Sequence, residues 1–297
     1  MRKTILLTGG TGFLGSHLIK NLIDKYEIII LKRSFSNTWR IVNFLNKIKY
    51  YDIDKTDISV PFKENKIDYV IHTAVNYGRK NESLYDIVND NLLFSIKLLE
   101  TATFFNTDTF FNTDTLLYAY LNKYTLTKKH FVDYLKIYSK DINVVNLKLE
   151  HMYGPMDDEK KFVCWIIKSL IKNVPELNLT KGEQKRDFIY IKDVVNAYQT
   201  IVEKSDRIKK GFNEFDVGTG KFITVKDFIL KIKSIIENKF NKKKETKLNF
   251  GALPYRENEL FEIKENLSPL LNLGWKPEYD LDLGLYETIK YEMEAKK

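Results

Sequence analysis

Two side chains four residues apart, Tyr124 and Lys128 in YLNKYTLTKKHF, have the types and spacing for proton transfer. Four residues is about one helical turn, so a helix sets both on one face. A phenol that gives or takes a proton near neutrality needs a lowered pKa, and an ammonium one turn away, together with an oxidised nicotinamide, lowers it. A Tyr-x-x-x-Lys match arises by chance in a chain with 18 tyrosines, so it carries meaning only beside a dinucleotide site. The N-terminus spells such a site. TGGTGFLGSHL places Gly9, Gly12 and Gly15 between an apolar run and a helical pattern. That turn lets a pyrophosphate approach bare backbone at a helix N-terminus. The spacing is G-x-x-G-x-x-G, and its position after a first strand is what favours dinucleotide binding over close strand-to-helix packing.

The adenosine ribose of a nicotinamide nucleotide meets the end of the second strand, where a carboxylate would hold both hydroxyls of NAD. This chain has Lys32, Arg33 and Ser34 there, two cations and a hydroxyl suited to a 2′-phosphate. NADP (NADPH) is the expected cofactor. Asp52 and Ile53, at the end of the third strand, are placed to border the adenine, with simple loop capping as the alternative for Asp52.

The elements that must position these residues follow from the apolar runs. Strands are predicted at 3–8, 27–32, 48–53, 68–74, 143–149 and 213–217, a helix through 91–100, and a helix start at Thr224 with Asp227 as its capping partner. Continuous β-branched runs alternating with helices predict a parallel sheet covered on both faces, a doubly wound α/β fold. No linker or domain break stands out. The expected organisation is a dinucleotide-binding Rossmann domain over 1–155, to which 186–225 partly returns, and a smaller C-terminal α/β substrate domain over 156–297, interleaved with it. One peculiarity is FFNTDTFFNTDT at 104–115, one hexapeptide written twice.

Composition bounds the rest. A hydrophobic fraction of 43% with 30% charged residues fits a soluble globular chain, and no apolar run approaches the ~18 residues of a membrane span. MRKTILLTGG imitates a signal peptide but turns into glycines after a short apolar run, so a cytoplasmic protein is expected. A lone cysteine, Cys164, leaves no intramolecular disulfide or cysteine cluster. The formal charge of +8 is spread along the chain, its one dense run being Lys242, Lys243 and Lys244, which reads as solvated surface and not as a nucleic-acid site. His17, His72 and His130 lack metal-ligand spacing, and no metal is expected.

TGGTGFLG, DYVIHTA, NLLFSIKLLE, Tyr124 to Lys128, MYGP at 152–155, GEQKRDFIYIKDVVNAY at 182–198 and LGWKP at 273–277 occur in an order that resembles the extended short-chain dehydrogenase/reductase family, over nearly the whole length. Within that NAD-dependent epimerase/dehydratase group, LEHMYGP and the hexapeptide strand are most similar to the CDP-abequose and CDP-paratose synthase type of sugar-nucleotide 4-ketoreductase. The resemblance implies that Tyr124 is the acid/base at the sugar C4 oxygen. Lys128 would lower its pKa and bond the nicotinamide ribose. A Ser or Thr ending the fifth strand would bond the same sugar oxygen. In the family pattern the first hexapeptide copy spans a helix end and loop, with Asn106 at the left-handed helix stop, and the second is the strand. Thr115 is then the active-site hydroxyl. Thr109 is the rival, because Thr115 stands unusually near Tyr124. The resemblance adds Thr11, Phe13, Leu14, Thr73 and Ala74 to the cofactor contacts, together with Asn91, whose counterpart in relatives is mostly structural.

Arg186 matches an arginine on the substrate diphosphate and Arg256 a second one; surface ion pairs with Asp187 and Glu257 are the alternatives. Phe162 should border the nucleotide, and His151 stands where many relatives carry an asparagine near the sugar phosphates. Leu116 and Leu117 occupy the place of the Asp-Glu pair that family dehydratases use, which argues against dehydration. Cys164 lies in the wrong segment for an epimerase-reductase and reads as core. There remain NADPH-dependent reduction of the C4 keto group of a nucleotide-linked 4-keto-6-deoxy or 3,6-dideoxyhexose, CDP-linked as the resemblance implies, for surface polysaccharide synthesis, and NAD-retaining C4 epimerisation. A non-catalytic NADP-binding sensor or scaffold is the reading of another class, disfavoured by retention of the proton donor. A homodimer is implied by the family alone.

Overall fold

In the computed structural model, residues 2–243 and 245–294 are described; Lys244, one member of the lysine run, lies outside them, and Lys242 and Lys243 are exposed. In chain order the elements are β1 (Thr4–Thr8), α1 (Phe13–Leu22), β2 (Glu27–Lys32), β3 (Lys49–Asp52), α2 (Val60–Glu64), β4 (Tyr69–His72), α3 (Leu84–Val88), α4 (Phe94–Phe104), β5 (Thr109–Thr115), α5 (Lys123–Tyr138) and β6 (Asn143–Leu149). Then follow β7 (His151–Tyr153), α6 (Phe162–Lys172), β8 (Glu176–Leu179), β9 (Lys185–Tyr190), α7 (Ile191–Glu203), β10 (Phe212–Val217), β11 (Phe222–Thr224), α8 (Val225–Phe240), β12 (Lys247–Phe250), α9 (Ser268–Asn272) and α10 (Leu281–Glu294).

The chain forms two compact units, one of Met1–Leu149, Val195–Val217 and Ser268–Trp275, the other of Glu150–Val194, Gly218–Leu267 and Lys276–Lys297. The first is a seven-stranded sheet in the order β10-β6-β5-β4-β1-β2-β3, every pair parallel. This is the doubly wound arrangement expected from the buried apolar runs. Leu6, Ile29, Val70, Phe110 and Val144, one from each of five strands, meet Leu98 and Leu99 of α4 and Phe131 and Leu135 of α5. On the opposite face Thr113 hydrogen-bonds Tyr198 of α7 at 2.6 Å. Alternate residues of β5 thus face different helix layers, as strand geometry requires.

The hexapeptide repeat splits as its second copy's strand pattern demands. α4 ends within the first copy, Asn106 takes the left-handed conformation (φ 56°), and the second copy is β5 from its second residue of register onward. Ahead of α4, the segment expected as plain helix contains one π-helical turn, Asn89–Leu93. Asn91 accounts for it: its buried amide accepts from the Asn76 N–H at 2.7 Å and donates to the Asn76 carbonyl and the Thr127 hydroxyl. A side chain bonded out of the helix widens the turn locally.

In the second unit β11, β9 and β7 form one small sheet and β12 with β8 another. Phe188 of β9 stacks on Phe228 of α8 with ring centroids 3.6 Å apart. Thr224 caps α8 by accepting from the Asp227 N–H at 3.0 Å, as its sequence predicts. Cys164 is buried near Glu292, and burial pushes its thiol up to about 12, which suits the core role read for it.

Candidate active site

The turn after β1 is built around glycine. Gly9 has φ +69°, and a Cβ there would lie 2.6 Å from the Thr73 hydroxyl and 2.7 Å from the Ala74 nitrogen. Thr73 and Ala74 come that close because they bond back to Thr8, through a 2.8 Å hydroxyl-to-carbonyl bond and a 3.2 Å bond to its hydroxyl. Gly12, whose N–H donates to the Gly9 carbonyl at 2.9 Å, is the N-cap of α1 and offers no side chain to cap it. The first turn of α1, which contains Phe13, Leu14 and Gly15, carries no acidic residue. Uncapped N–H groups and a first turn without acidic residues suit a pyrophosphate. Thr11 is half-buried at the tip of this turn.

At the end of β2, two of the three groups expected to suit a 2′-phosphate already have carboxylate partners. Arg33 is paired with Asp90, whose other oxygen takes the Asn76 amide at 3.0 Å. The Ser34 hydroxyl donates to Asp52 at 2.7 Å and its N–H to Asp54 at 2.8 Å. Two carboxylates converge on Ser34 because β3 runs beside β2 and ends at the same level. Lys32 lies over the Tyr50 ring, 5.5 Å from its centroid. The bond from Ser34, aided by Lys32 and Lys55, holds the Asp52 carboxyl below its ordinary range, so this edge is not a simple cationic patch. Asp52 also accepts from the Asp54 N–H, the capping use weighed for it, and Ile53 is half-buried beside it.

Tyr124 and Lys128 lie in the first turns of α5, which Asn122 opens with a capping box to Thr125. Tyr124 is half-buried and its ring is 4.9 Å from that of Tyr77, over which the Arg79 guanidinium sits at 4.7 Å. Burial, then Tyr77 and Asp114, push the Tyr124 phenol well above 10, and Arg79 opposes them weakly. Lys128, expected to lower this phenol together with an oxidised nicotinamide, is not among the groups that act on it here. Lys128 is only 4% exposed and makes no side-chain hydrogen bond among the described residues. Burial pushes its ammonium down to about 8, with Asp114 resisting and Lys129 assisting. Thr115 closes β5, whereas Thr109 opens it, beside Tyr69 and Asn143. The Thr115 hydroxyl oxygen accepts from the Leu117 N–H at 3.2 Å, which leaves its own proton available to a carbonyl oxygen. His72, buried between Thr8 and Ser95 hydroxyls, is a packed neutral histidine as expected, its pKa held far down by burial.

Four substrate candidates lie in the second unit. Arg186, on β9 and 8% exposed, is paired with Glu259 and donates to the Lys185 carbonyl at 2.6 Å. The alternative partner considered for it, Asp187, is instead fully buried and accepts from the Thr219 hydroxyl at 2.7 Å and the Gly220 N–H at 2.8 Å. Arg256 is exposed and close enough to lower the Arg186 pKa. His151 has its Nδ1 3.0 Å from Glu150, and Phe162, which starts α6, is 38% exposed. Sequence reasoning did not single out Tyr77, Arg79, Asp114 or Lys129. The loop after β4, at the carboxyl edge of a parallel strand, is where ligands gather in such sheets and could have flagged the first two.

Three comparisons bear on this constellation. A sequence profile of the NAD dependent epimerase/dehydratase family matches residues 5–218. The chain is 36% identical over 299 residues to the CDP-abequose synthase of Salmonella muenchen, covering 96% of each, and 34% identical to that of Salmonella typhimurium, covering 98% of each. Its fold is similar to that of the UDP-glucose 4-epimerase of Thermotoga maritima solved with UDP-glucose, with a TM-score of 0.82 at 23% identity over 99% of this chain and 100% of the other.

Proposed function

Because this chain belongs to the NAD dependent epimerase/dehydratase family, we propose that it reduces the C4 keto group of a nucleotide-linked deoxyhexose, CDP-linked as in the name of its Salmonella relatives. Lys128 carries the reading: a buried ammonium that makes no side-chain hydrogen bond among the described residues, one turn from the half-buried Tyr124, suits a polar ligand such as a ribose. The glycine cradle at Gly9, Gly12 and Gly15 fits a nicotinamide dinucleotide, which supplies the hydride when bound.

The chain's own groups handle the oxygen. Thr115 donates to the ketone oxygen and polarises the carbonyl, and Tyr124 passes its proton to that oxygen as C4 becomes tetrahedral. A hydride and one proton convert the ketone to an alcohol, and the tyrosinate regains its proton from solvent. Burial keeps the Tyr124 phenol protonated in the chain without cofactor, the form in which a reduction starts. In the second unit, exchange of Glu259 for a diphosphate on Arg186, with Arg256 beside it, would bind the nucleotide, His151 and Phe162 serving the same ligand. NADPH is the proposed cofactor. The second reading, a 4-epimerase retaining NAD, is favoured by the commitment of Arg33 to Asp90 and of Ser34 to Asp52.

Purified protein supplied with an enzymatically made CDP-4-keto-3,6-dideoxyhexose should oxidise NADPH, read from loss of its near-ultraviolet absorbance, in preference to NADH. Tyr124→Phe should abolish turnover and leave NADPH binding within about twofold. NADPH binding without turnover of any nucleotide-linked 4-ketosugar would sink the reading. Copurified NAD and interconversion of sugars without added cofactor would replace it by the epimerase.

A further inference from the structure

Lys129, next to Lys128, points its ammonium at the end of β5. It donates to the Asp114 carboxylate at 2.8 Å and to the Thr115 carbonyl oxygen. The Asp114 side chain is 1% exposed, takes one further bond from the Asn146 amide at 3.3 Å, and keeps its second oxygen without a partner among the described residues. A buried carboxylate so sparsely bonded is tolerable only with a compensating cation, and Lys129 is that cation. Asp114 precedes Thr115 in the chain and Lys129 follows Lys128. One ion pair therefore joins the two elements that carry the hydroxyl, the phenol and the ammonium.

The covalent route between them is irregular, held to α5 by the Thr125 hydroxyl, which donates to the Ala119 carbonyl at 2.8 Å, and by the Asn122 capping box. Residues 116–122 hold a single 3₁₀ turn at Ala119–Leu121, with Tyr118 and Tyr120 exposed. The first ladder bond beyond β5, from the Leu116 N–H to the Leu149 carbonyl, is long at 3.4 Å. We propose that Lys129, anchored on Asp114, is a positioning residue that clamps the carboxyl end of β5 to α5 and so sets Thr115 against Tyr124. The proposal rests on the reductase reading for its catalytic consequence, not for its geometry.

Charged and titratable groups face the pair from several elements, including Tyr198 of α7, on which Asp114 acts, and Glu214 of β10, on which Lys129 acts. Asp114, Tyr77 and Arg79 act on Tyr124; Asp114 and Lys129 act on Lys128, whose positive charge in turn disfavours protonation of the buried His72; Glu214 reaches the pair through Asn146. Removing Lys129 raises the pKa of Lys128, whereas neutralising Asp114 lowers those of both Lys128 and Tyr124.

The test compares Lys129→Met, Lys129→Arg and Asp114→Asn in the full chain with NADPH and the CDP-ketosugar. Lys129→Met should lower kcat by about tenfold to a hundredfold at nearly constant KM, and Lys129→Arg should restore most of it. The alkaline limb of the rate profile should move up in Lys129→Met and down in Asp114→Asn. A purely structural pair would lower the unfolding midpoint without opposite pH shifts, and that result overturns the proposal, as does an undiminished kcat in Lys129→Met. Hydrogen exchange gives a readout independent of turnover: peptides within 113–123 should exchange faster in Lys129→Met and at the wild-type rate in Lys129→Arg. If the wild-type protein reduces no ketosugar, the reductase reading fails by itself. Unaltered exchange in 113–123 would then still refute the clamp, and selective acceleration there would uphold it.

Discussion

Thr109 and Thr115 close the two copies of one hexapeptide, and the length of β5 separates them. Only Thr115 stands at the carboxyl edge of the sheet, with its hydroxyl oxygen already accepting from Leu117. Thr115→Val should cost roughly 10²-fold in kcat, the usual effect of removing one donor to a developing oxyanion, and Thr109→Val should leave kcat unchanged. The reverse result moves the active hydroxyl into the first copy. Lys128 yields a prediction of opposite sign for stability. Its pKa falls from 10.5 to about 8 on burial, so the folded protein disfavours the charged form. Below pH 8 that cost is fully present; it is relieved as pH rises from about 8 to 10.5, where the unfolded chain holds the proton and the folded chain does not. Lys128→Met should therefore raise the thermal midpoint at neutral pH by a few degrees, lose that rise above pH 8, and abolish turnover. Tyr124 and Lys128 could be singled out because a four-residue spacing in a helix gains meaning beside a glycine turn, and the structure does set both in the first turns of α5. Asp114 and Lys129 were not, since a charged residue beside a motif reads as solvated surface until the fold buries it.

At the scale of elements, the strands of the large sheet were readable because burial on both faces leaves nearly unbroken apolar runs; β2 and β6 begin and end where EIIILK and NVVNLKL do. The small strands of the second unit were missed. β7, β8, β11 and β12 are three or four residues long and owe their conformation to partners remote in sequence, a signal no local pattern contains. The same limit applied at the end of β2, where the fold brings Asp52 and Asp54 alongside Ser34 and Asp90 alongside Arg33. The glycine turn is the element most sensitive to a single methyl group. A Cβ on Gly15 would overlap the Gly9 carbonyl and the Gly10 backbone, groups that cannot step aside. Gly15→Ala should weaken NADPH binding at least about tenfold, measured by fluorescence titration, while a comparable change at exposed Gly251 should not.

Over the whole molecule, the positive charge of +8 finds partners piecemeal. Lys129, Lys148, Lys161, Lys168 and Arg186 each meet a carboxylate within their own unit. The doubled hexapeptide has a consequence for how the chain reaches this state. Phe104 of the first copy is 79% exposed and Phe110 of the second is fully buried, yet the two are preceded and followed by nearly the same residues. During folding, a strand built from the first copy is locally indistinguishable from the native one and is rejected only when its flanking segments fail to pack. A population that starts in the shifted pairing has to unzip before it can finish. Refolding followed by stopped-flow fluorescence should show a slow phase that Phe104→Asp removes without altering equilibrium stability, because the aspartate is harmless on the surface and intolerable in the core; a slow phase that survives the substitution would assign it to another step.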